Sequence, residues 1–236
     1  MCLILLAWQT HPDFPLLVAA NRDEFHDRPT QAAHWWPDEP RIYAGRDLRA
    51  GGTWLGITRN GRFAALTNIR APLRQQRDTR SRGEIVAAAL RAQHIDAFLL
   101  DIERTAHQYN GFNLLVGDRE TLWHLNSEQA RADRVAPGIH ALSNASLDTP
   151  WPKVIRGANA LAEAVDRRAD PEDLFTLLSD DRLAPDESLP DTGVPQEWER
   201  WLSAIRIAAP GYSTRSQAVV AFPRAGEPQL IERVLI

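Results

Sequence analysis

Residues 2–24 read CLILLAWQTHPDFPLLVAANRDE. From Cys2 to Gln9 the chain is apolar at both strand parities: Cys2, Ile4, Leu6 and Trp8 fall on one side, Leu3, Leu5 and Ala7 on the other. A strand with two apolar faces must be covered on both, which places it centrally in a layered structure. Residues 16–21, LLVAAN, form a second strand of the same kind, and the short connection at 11–15 makes the two an antiparallel pair.

Working outward, a third strand is expected at 53–58 after Gly51-Gly52, and a fourth at 62–68 after the hairpin signal Asn60-Gly61. Ser81-Arg82-Gly83-Glu84 has the spacing of a capping box opening a helix over 85–93, and Asp96 is the expected N-cap of a second helix to about 108. Strands follow at 112–117, 121–125 and 138–143. Helix starts are expected at Asp148-Thr149-Pro150 and at Asp170-Pro171-Glu172-Asp173, where proline and acids suit a first turn. Residues 180–196 read as a loop, 198–204 as a short helix, and 212–222 and 228–236 as closing strands. Trp35-Trp36 falls in a proline-flanked loop and is a candidate lining for an apolar pocket. Four strands, two helices, three strands, helices, a loop and two strands fit an α+β fold with two antiparallel sheets stacked face to face and helices outside. No boundary signal divides the chain, so residues 1–236 are expected to form one domain.

Composition narrows the function classes. Hydrophobic residues make up 44% and charged residues 25%, as in ordinary globular proteins, and the net charge of -4 disfavours a nucleic-acid surface. No run approaches a membrane span, and MCLILLAWQT lacks a basic leader and a small-residue cleavage site, so the expected setting is cytoplasmic. One cysteine allows no internal disulfide. The seven histidines are scattered without metal-ligand spacing, so no metal site is expected, and no P-loop or dinucleotide fingerprint occurs. Lys153 is the sole lysine, a bias that genome composition alone can produce.

The candidate chemistry begins at Cys2. Removal of the initiator methionine would leave a thiol and a free α-amine on one residue, a nucleophile beside a base whose reference pKa is about 7.7–8.0. The plainer reading is a small buried hydrophobe. Asn21-Arg22-Asp23-Glu24 closes the second strand. Arg22 would favour the Cys2 thiolate, and Asp23 would hold the α-ammonium or orient a substrate; the alternative is a solvated strand end. A regular strand points Arg22 and Asp23 to opposite faces, so both reach one site only if the backbone bends. Asn68 and Asn144 each end a strand, as neutral donors for an oxyanion or as ordinary strand-end asparagines. Arg215, in Tyr212-Ser213-Thr214-Arg215-Ser216, either faces Asp23 or a substrate carboxylate, or is exposed.

Four segments in order carry a resemblance: Met1-Cys2-Leu3; Ala20-Asn21-Arg22-Asp23-Glu24; Gly51-Gly52-Thr53-Trp54-Leu55-Gly56 leading to Leu66-Thr67-Asn68; and Leu189-Pro190-Asp191-Thr192-Gly193 leading to Tyr212-Ser213-Thr214-Arg215-Ser216. As a set the chain resembles the NRDE family, relatives of the transport and Golgi organisation protein 2. That resemblance implies a fold like the N-terminal nucleophile (Ntn) hydrolases, a four-layer αββα sandwich. Within that superfamily the likeness is to cysteine amidohydrolases such as penicillin V acylase and bile salt hydrolase. It carries catalytic roles onto Cys2, Arg22, Asp23, Asn68, Asn144 and Arg215. One departure stands out: the arginine and aspartate are adjacent here and separated by two residues there, so Glu24, or Asn21 in place of Arg22, could take a role. Two functions are implied. One is an amidohydrolase acting on non-peptide C–N bonds of a small molecule, with no required cofactor. The other is a non-catalytic protein that binds and traffics haem or an acyl-CoA-like lipid metabolite, with Arg22 and Arg215 at the rim and Trp35, Trp36 or His34 against the ligand. The oligomeric state is left open.

Overall fold

The computed structural model describes residues 2–76 and 79–236. Met1, Arg77, Asp78 and the Cys2 side chain lie outside the described residues, and so does the reading of Cys2 as a nucleophile freed by loss of Met1. The elements in order are β1 (Cys2–Trp8), β2 (Leu16–Phe25), β3 (Thr30–Trp36), β4 (Glu39–Asp47), β5 (Leu55–Thr58), β6 (Phe63–Asn68), α1 (Gly83–Arg91), α2 (Ile95–Thr105), β7 (Phe112–Gly117), β8 (Leu122–Asn126), β9 (Arg131–Arg134), β10 (Gly138–Leu142), α3 (Pro152–Asp166), α4 (Leu174–Leu177), α5 (Gln196–Trp201), β11 (Ala208–Ala209), β12 (Tyr212–Phe222) and β13 (Gln229–Val234).

Among the described residues the strands form two antiparallel sheets. One runs β10-β1-β2-β12-β11 with β13 also paired to β12, and the other runs from β3 to β9 in chain order. The two apolar parities of β1 and β2 explain the layering. Ile4, Leu6, Trp8, Leu16 and Val18 face the second sheet and pack on Leu55, Ile57, Phe63, Ala65 and Leu115. Leu3, Leu5, Ala7, Leu17 and Ala19 face outward under Val154, Leu161, Leu174 and Phe175 of α3 and α4. On the far side, Ile85, Val86 and Leu90 of α1 and Leu99 and Ile102 of α2 cover Ala64, Leu66, Leu114 and Val116. Each such aliphatic side chain contributes about 1.5–3 kcal/mol on burial, so three stacked apolar layers fix the αββα order.

Several boundaries differ from the sequence expectation. Six strands, not four, precede α1, because 30–47 forms a hairpin. Its alternation is masked by polar positions that are exposed, as Gln31 and Arg41, or half-exposed, as His34. Trp35 and Trp36 therefore belong to a strand. Trp36 is core, its Nε1 donating to the Ala44 carbonyl at 3.1 Å, while Trp35 packs on Tyr43 beneath Arg59. The edge strand β9 is charged and mostly exposed, which removes its periodic signal. The capping box does not form: α1 starts from Arg82 without a side-chain cap. The Glu84 carboxylate instead accepts from the Tyr109 hydroxyl at 2.7 Å and pairs with Arg80. Asp96 sits inside α2, whose N-cap is His94. The start at Asp170 opens a short 3-10 turn followed by only one turn of α4.

Helix α1 can approach the second sheet because glycine stands beneath it. A Cβ on Gly52 would lie 2.6 Å from the Gly83 carbonyl oxygen and 2.8 Å from the Glu84 nitrogen, both main-chain atoms. A Cβ on Gly56 would press on Leu90 at 2.8 Å. The spacing in Gly51-Gly52-Thr53-Trp54-Leu55-Gly56 is thus the seat of α1. Among the described residues no helix is long and apolar enough to cross a membrane.

Candidate functional site

The site is built at the Cys2 end of β1. Cys2 stands opposite Arg22 in the β1–β2 register, and Asp23, one residue on, stands opposite Thr214 of β12. The backbone bend that sequence reasoning required for both to reach one site is absent from β2, which stays paired through Phe25. The irregularity lies in β12, whose register shifts between Thr214 and Ser216. Arg22 and Asp23 therefore keep different immediate neighbours, as a regular strand requires, although both reach the lining of one cleft. The Arg22 guanidinium stacks 4.1 Å above Trp54, a partly buried residue of the inter-sheet core. Asp23 is 1% exposed. Its Oδ1 accepts from Thr214 Oγ1 at 2.7 Å, and its carbonyl accepts from the Tyr212 hydroxyl at 3.0 Å. Burial pushes the Asp23 carboxyl above its ordinary value, against the opposing charge of the Lys153 ammonium.

A cleft of about 340 Å³ opens here, with Arg22, Asp23, Trp54, Leu66 and Asn68 in its lining and Arg28, Arg49, Arg80 and Arg82 also around it. Asn68 ends β6. Asn144, just beyond β10, is brought to the same place from the opposite sheet, its Nδ2 donating to the Asn68 carbonyl at 2.9 Å. The Asn144 carbonyl accepts from the Arg70 backbone N–H at 2.8 Å. Asn144 itself lines a second cleft of about 650 Å³, shared with Arg70, Trp151 and Thr192. Arg22, Asp23 and Asn68 thus share one cleft, and Asn144 reaches it from behind.

Arg215 is placed differently. Its guanidinium donates to the carbonyls of Phe25 (2.8 Å), His26 (3.2 Å), Arg28 (3.3 Å) and Ile236 (3.2 Å), gathering the turn after β2 and the end of the chain. It lines a small crevice with Ser216 and Glu232, outside both clefts. Asn21 donates to the carbonyls of Leu178 and Ile205 on the helical side, an anchoring role, while Glu24 lines the first cleft. Trp35, Trp36 and His34 line neither cleft.

Other residues had no local signal. Arg70 and Glu199 form a buried ion pair at 2.5 Å, their side chains 3% and 4% exposed. Trp151 lies under the guanidinium at 4.8 Å. Glu199 Oε1 also accepts from the Thr192 N–H at 3.0 Å and hydroxyl at 2.5 Å, tying the Leu189-Pro190-Asp191-Thr192-Gly193 segment to α5. Only the nearness of Arg70 to Asn68 could have pointed to this pair. Among the described residues no group of three or more His, Cys, Asp or Glu side chains could hold a metal ion.

Behind Asn144, Asn113 of β7 donates to the Ala145 carbonyl at 2.5 Å and to Thr67 Oγ1 at 3.3 Å, while its Oδ1 lies 3.1 Å from His124 Nε2. Burial pushes His124 down to about 4. The unfolded chain takes this proton near pH 6.5 and the folded chain refuses it until about pH 4. Stability is therefore complete above about pH 6.5 and falls as pH drops toward 4, by roughly 3 kcal/mol. Urea unfolding at pH 7 and 4.5 should show that His124→Gln, which can keep the hydrogen bond, loses much less across this interval than wild type. An equal loss in both would assign the acid sensitivity elsewhere.

A four-layer αββα sandwich with a polar cleft at the head of its central strands is the class these features define. The family model described as Transport and Golgi organisation 2 matches residues 1–236, and the chain belongs to that family. The Bos taurus Transport and Golgi organization protein 2 homolog is 34% identical over 263 residues, covering 100% of this chain and 94% of the bovine protein. The Homo sapiens homolog is 33% identical over 260 residues, with the same coverage of 100% and 94%. A solved Caenorhabditis elegans N-acylethanolamine-hydrolyzing acid amidase ortholog superposes with a TM-score of 0.45 at 9% identity, over 93% of this chain and 92% of that one.

Proposed function

We propose that the protein is an Ntn-type cysteine amidohydrolase that cleaves a non-peptide C–N bond in a small molecule. The observation that carries this reading is the register at the head of β1: Cys2 opposite Arg22, with the buried Asp23 next along β2 and Asn68 in the same cleft. Once Met1 is removed, the α-amine of Cys2 takes the thiol proton and the thiolate adds to the amide carbonyl. Asn68 stabilises the oxyanion. The C–N bond breaks, and the leaving amine departs with the proton. Water, deprotonated by the same α-amine, attacks the thioester, releases the carboxylic acid and restores the thiol. Asp23 holds and orients the amine through each transfer. The test is mass spectrometry of the untagged protein followed by an amide screen. The expected results are a mass lacking Met1 and, for any amide turned over, loss of turnover to background in Cys2→Ala with an unchanged melting curve. Retained turnover in that variant rejects the reading.

The arginines around the cleft favour a second reading, capture without hydrolysis of a ligand bearing carboxylates or phosphates. No histidine is among the described lining residues, so a haem there would be held through its propionates rather than by an axial imidazole from the lining. Haem and acyl-CoA titrations that show no binding above background count against it.

A further inference from the structure

Asn113 of β7 is fully buried, and so is Thr67, which stands opposite it in the β6–β7 register. The amide of Asn113 reaches both sheets. Its Nδ2 donates to Thr67 Oγ1 at 3.3 Å within its own sheet. The same nitrogen donates at 2.5 Å to the carbonyl of Ala145, in the segment that follows β10 of the other sheet. An NH2 group has two protons, and each has an acceptor here. Only the NH2 end of an amide can face a carbonyl oxygen, which turns Asn113 Oδ1 toward His124 Nε2 at 3.1 Å. The neutral imidazole therefore carries its proton on Nε2, and the buried His124 ring fixes which way the amide points.

Both acceptors of that amide adjoin a residue of the candidate site. Thr67 precedes Asn68, and Ala145 follows Asn144. The two asparagines are joined as well, since Asn144 Nδ2 donates to the Asn68 carbonyl at 2.9 Å. The Arg70 N–H in turn donates to the Asn144 carbonyl at 2.8 Å. Asn68 is the last residue of β6, where its ladder to β7 ends opposite Phe112. A strand end opens more readily than its middle, whereas an oxyanion donor works only over a window of about 2.7–3.1 Å. The neighbouring polar groups do not span the two segments. Asn126, opposite Asn113 on β8, accepts from the Glu128 N–H at 2.9 Å, and the Ser143 hydroxyl reaches only the adjacent Asn144 Oδ1 at 3.3 Å.

We propose that Asn113 is a positioning residue of the candidate site, one amide that sets the spacing between Asn68 and Asn144 by holding the residue beside each. The role rests on the amidohydrolase reading, because its consequence is to keep Asn68 aimed at the oxyanion.

The hold itself is read without a substrate, from amide hydrogen exchange followed by NMR. The Arg70 N–H reports the grip on Asn144, and the N–H groups of Val18 and Val219, in the buried central strands, report global stability. In Asn113→Leu, similar in volume but without the amide, Arg70 should exchange about tenfold faster relative to Val18 and Val219, the equivalent of one lost hydrogen bond. No change at Arg70, or an equal change at all three, overturns the role. If Asn113→Leu does not fold, Thr67→Val removes one acceptor while keeping the shape, and a relative rise of about threefold at Arg70 is expected. An unchanged Arg70 there overturns the role equally. For any amide turned over, Asn113→Leu should lower kcat by about 10–10² with KM unchanged. His124→Leu, which removes the donor to Oδ1, should lower kcat too, and His124→Gln should restore it. Wild-type kcat in a folded Asn113→Leu overturns the role and leaves the hydrolase reading intact. Turnover retained in Cys2→Ala would reject the hydrolase reading and leave the exchange result standing.

Discussion

Glu199→Ala lowers stability by about 3–5 kcal/mol, the expected cost of leaving one member of a buried ion pair without its partner. The Arg70–Glu199 pair is 3% and 4% exposed, so the substitution leaves a buried guanidinium without its carboxylate. Burial already pushes the Arg70 guanidinium below its ordinary value, against the pull of Glu199. The same substitution frees Thr192, whose N–H and hydroxyl both donate to Glu199. Replacing both partners, Arg70→Met with Glu199→Leu, should recover most of the loss, because two apolar side chains need no compensation. Denaturant titration of the two single variants and the double variant decides this. A single-variant cost below about 1 kcal/mol, the range of an exposed pair, would sink the idea.

The second large effect separates the two asparagines. In Asn68→Ala, kcat should fall by about 10²–10³ with KM little changed, the signature of a lost oxyanion donor. Asn144 has a different job in this geometry, since its side-chain amide donates to the Asn68 carbonyl. Asn144→Ala should therefore cost about 1–3 kcal/mol in stability, as for any buried carbonyl left without its donor. Steady-state kinetics and melting curves on both variants test the division. A full loss of kcat in Asn144→Ala with unchanged stability, beside a near-normal Asn68→Ala, would exchange the roles.

The legible parts of this fold are those whose pattern is local. β1 and β2 are apolar at both parities, so their central place could be read directly, and the sandwich followed from it. The β3–β4 hairpin was not legible, because an edge hairpin needs only part of one face covered and its polar positions break the alternation. The same division runs through the site. Arg22 and Asp23 follow the apolar run of β2 and Asn68 ends the apolar β6, and the three meet in one cleft. Arg215 is in a strand as expected, but the register shift beside it comes from pairing with β2, which Thr214-Arg215-Ser216 does not announce. Lys153 and Glu199 look like ordinary surface charges on their own helices. Their burial is decided by β1 and by Arg70, both far away in the chain.

The contact of Gly52 with Gly83 has a bearing on selectivity. Thr53 and Trp54, just after the first glycine, and Arg82 and Gly83, at the start of α1, all stand around the first cleft. The spacing between those two walls is set where main chain meets main chain, with no rotamer between them to adjust. A bulkier ligand cannot be admitted by turning a side chain at that junction. The side chains around the opening are held as well, Arg28 by Asp47 and Arg80 by Glu84. Width is thereby a property of the backbone and charge a property of the rim, so substitutions among the arginines change the charge of the opening without changing its width.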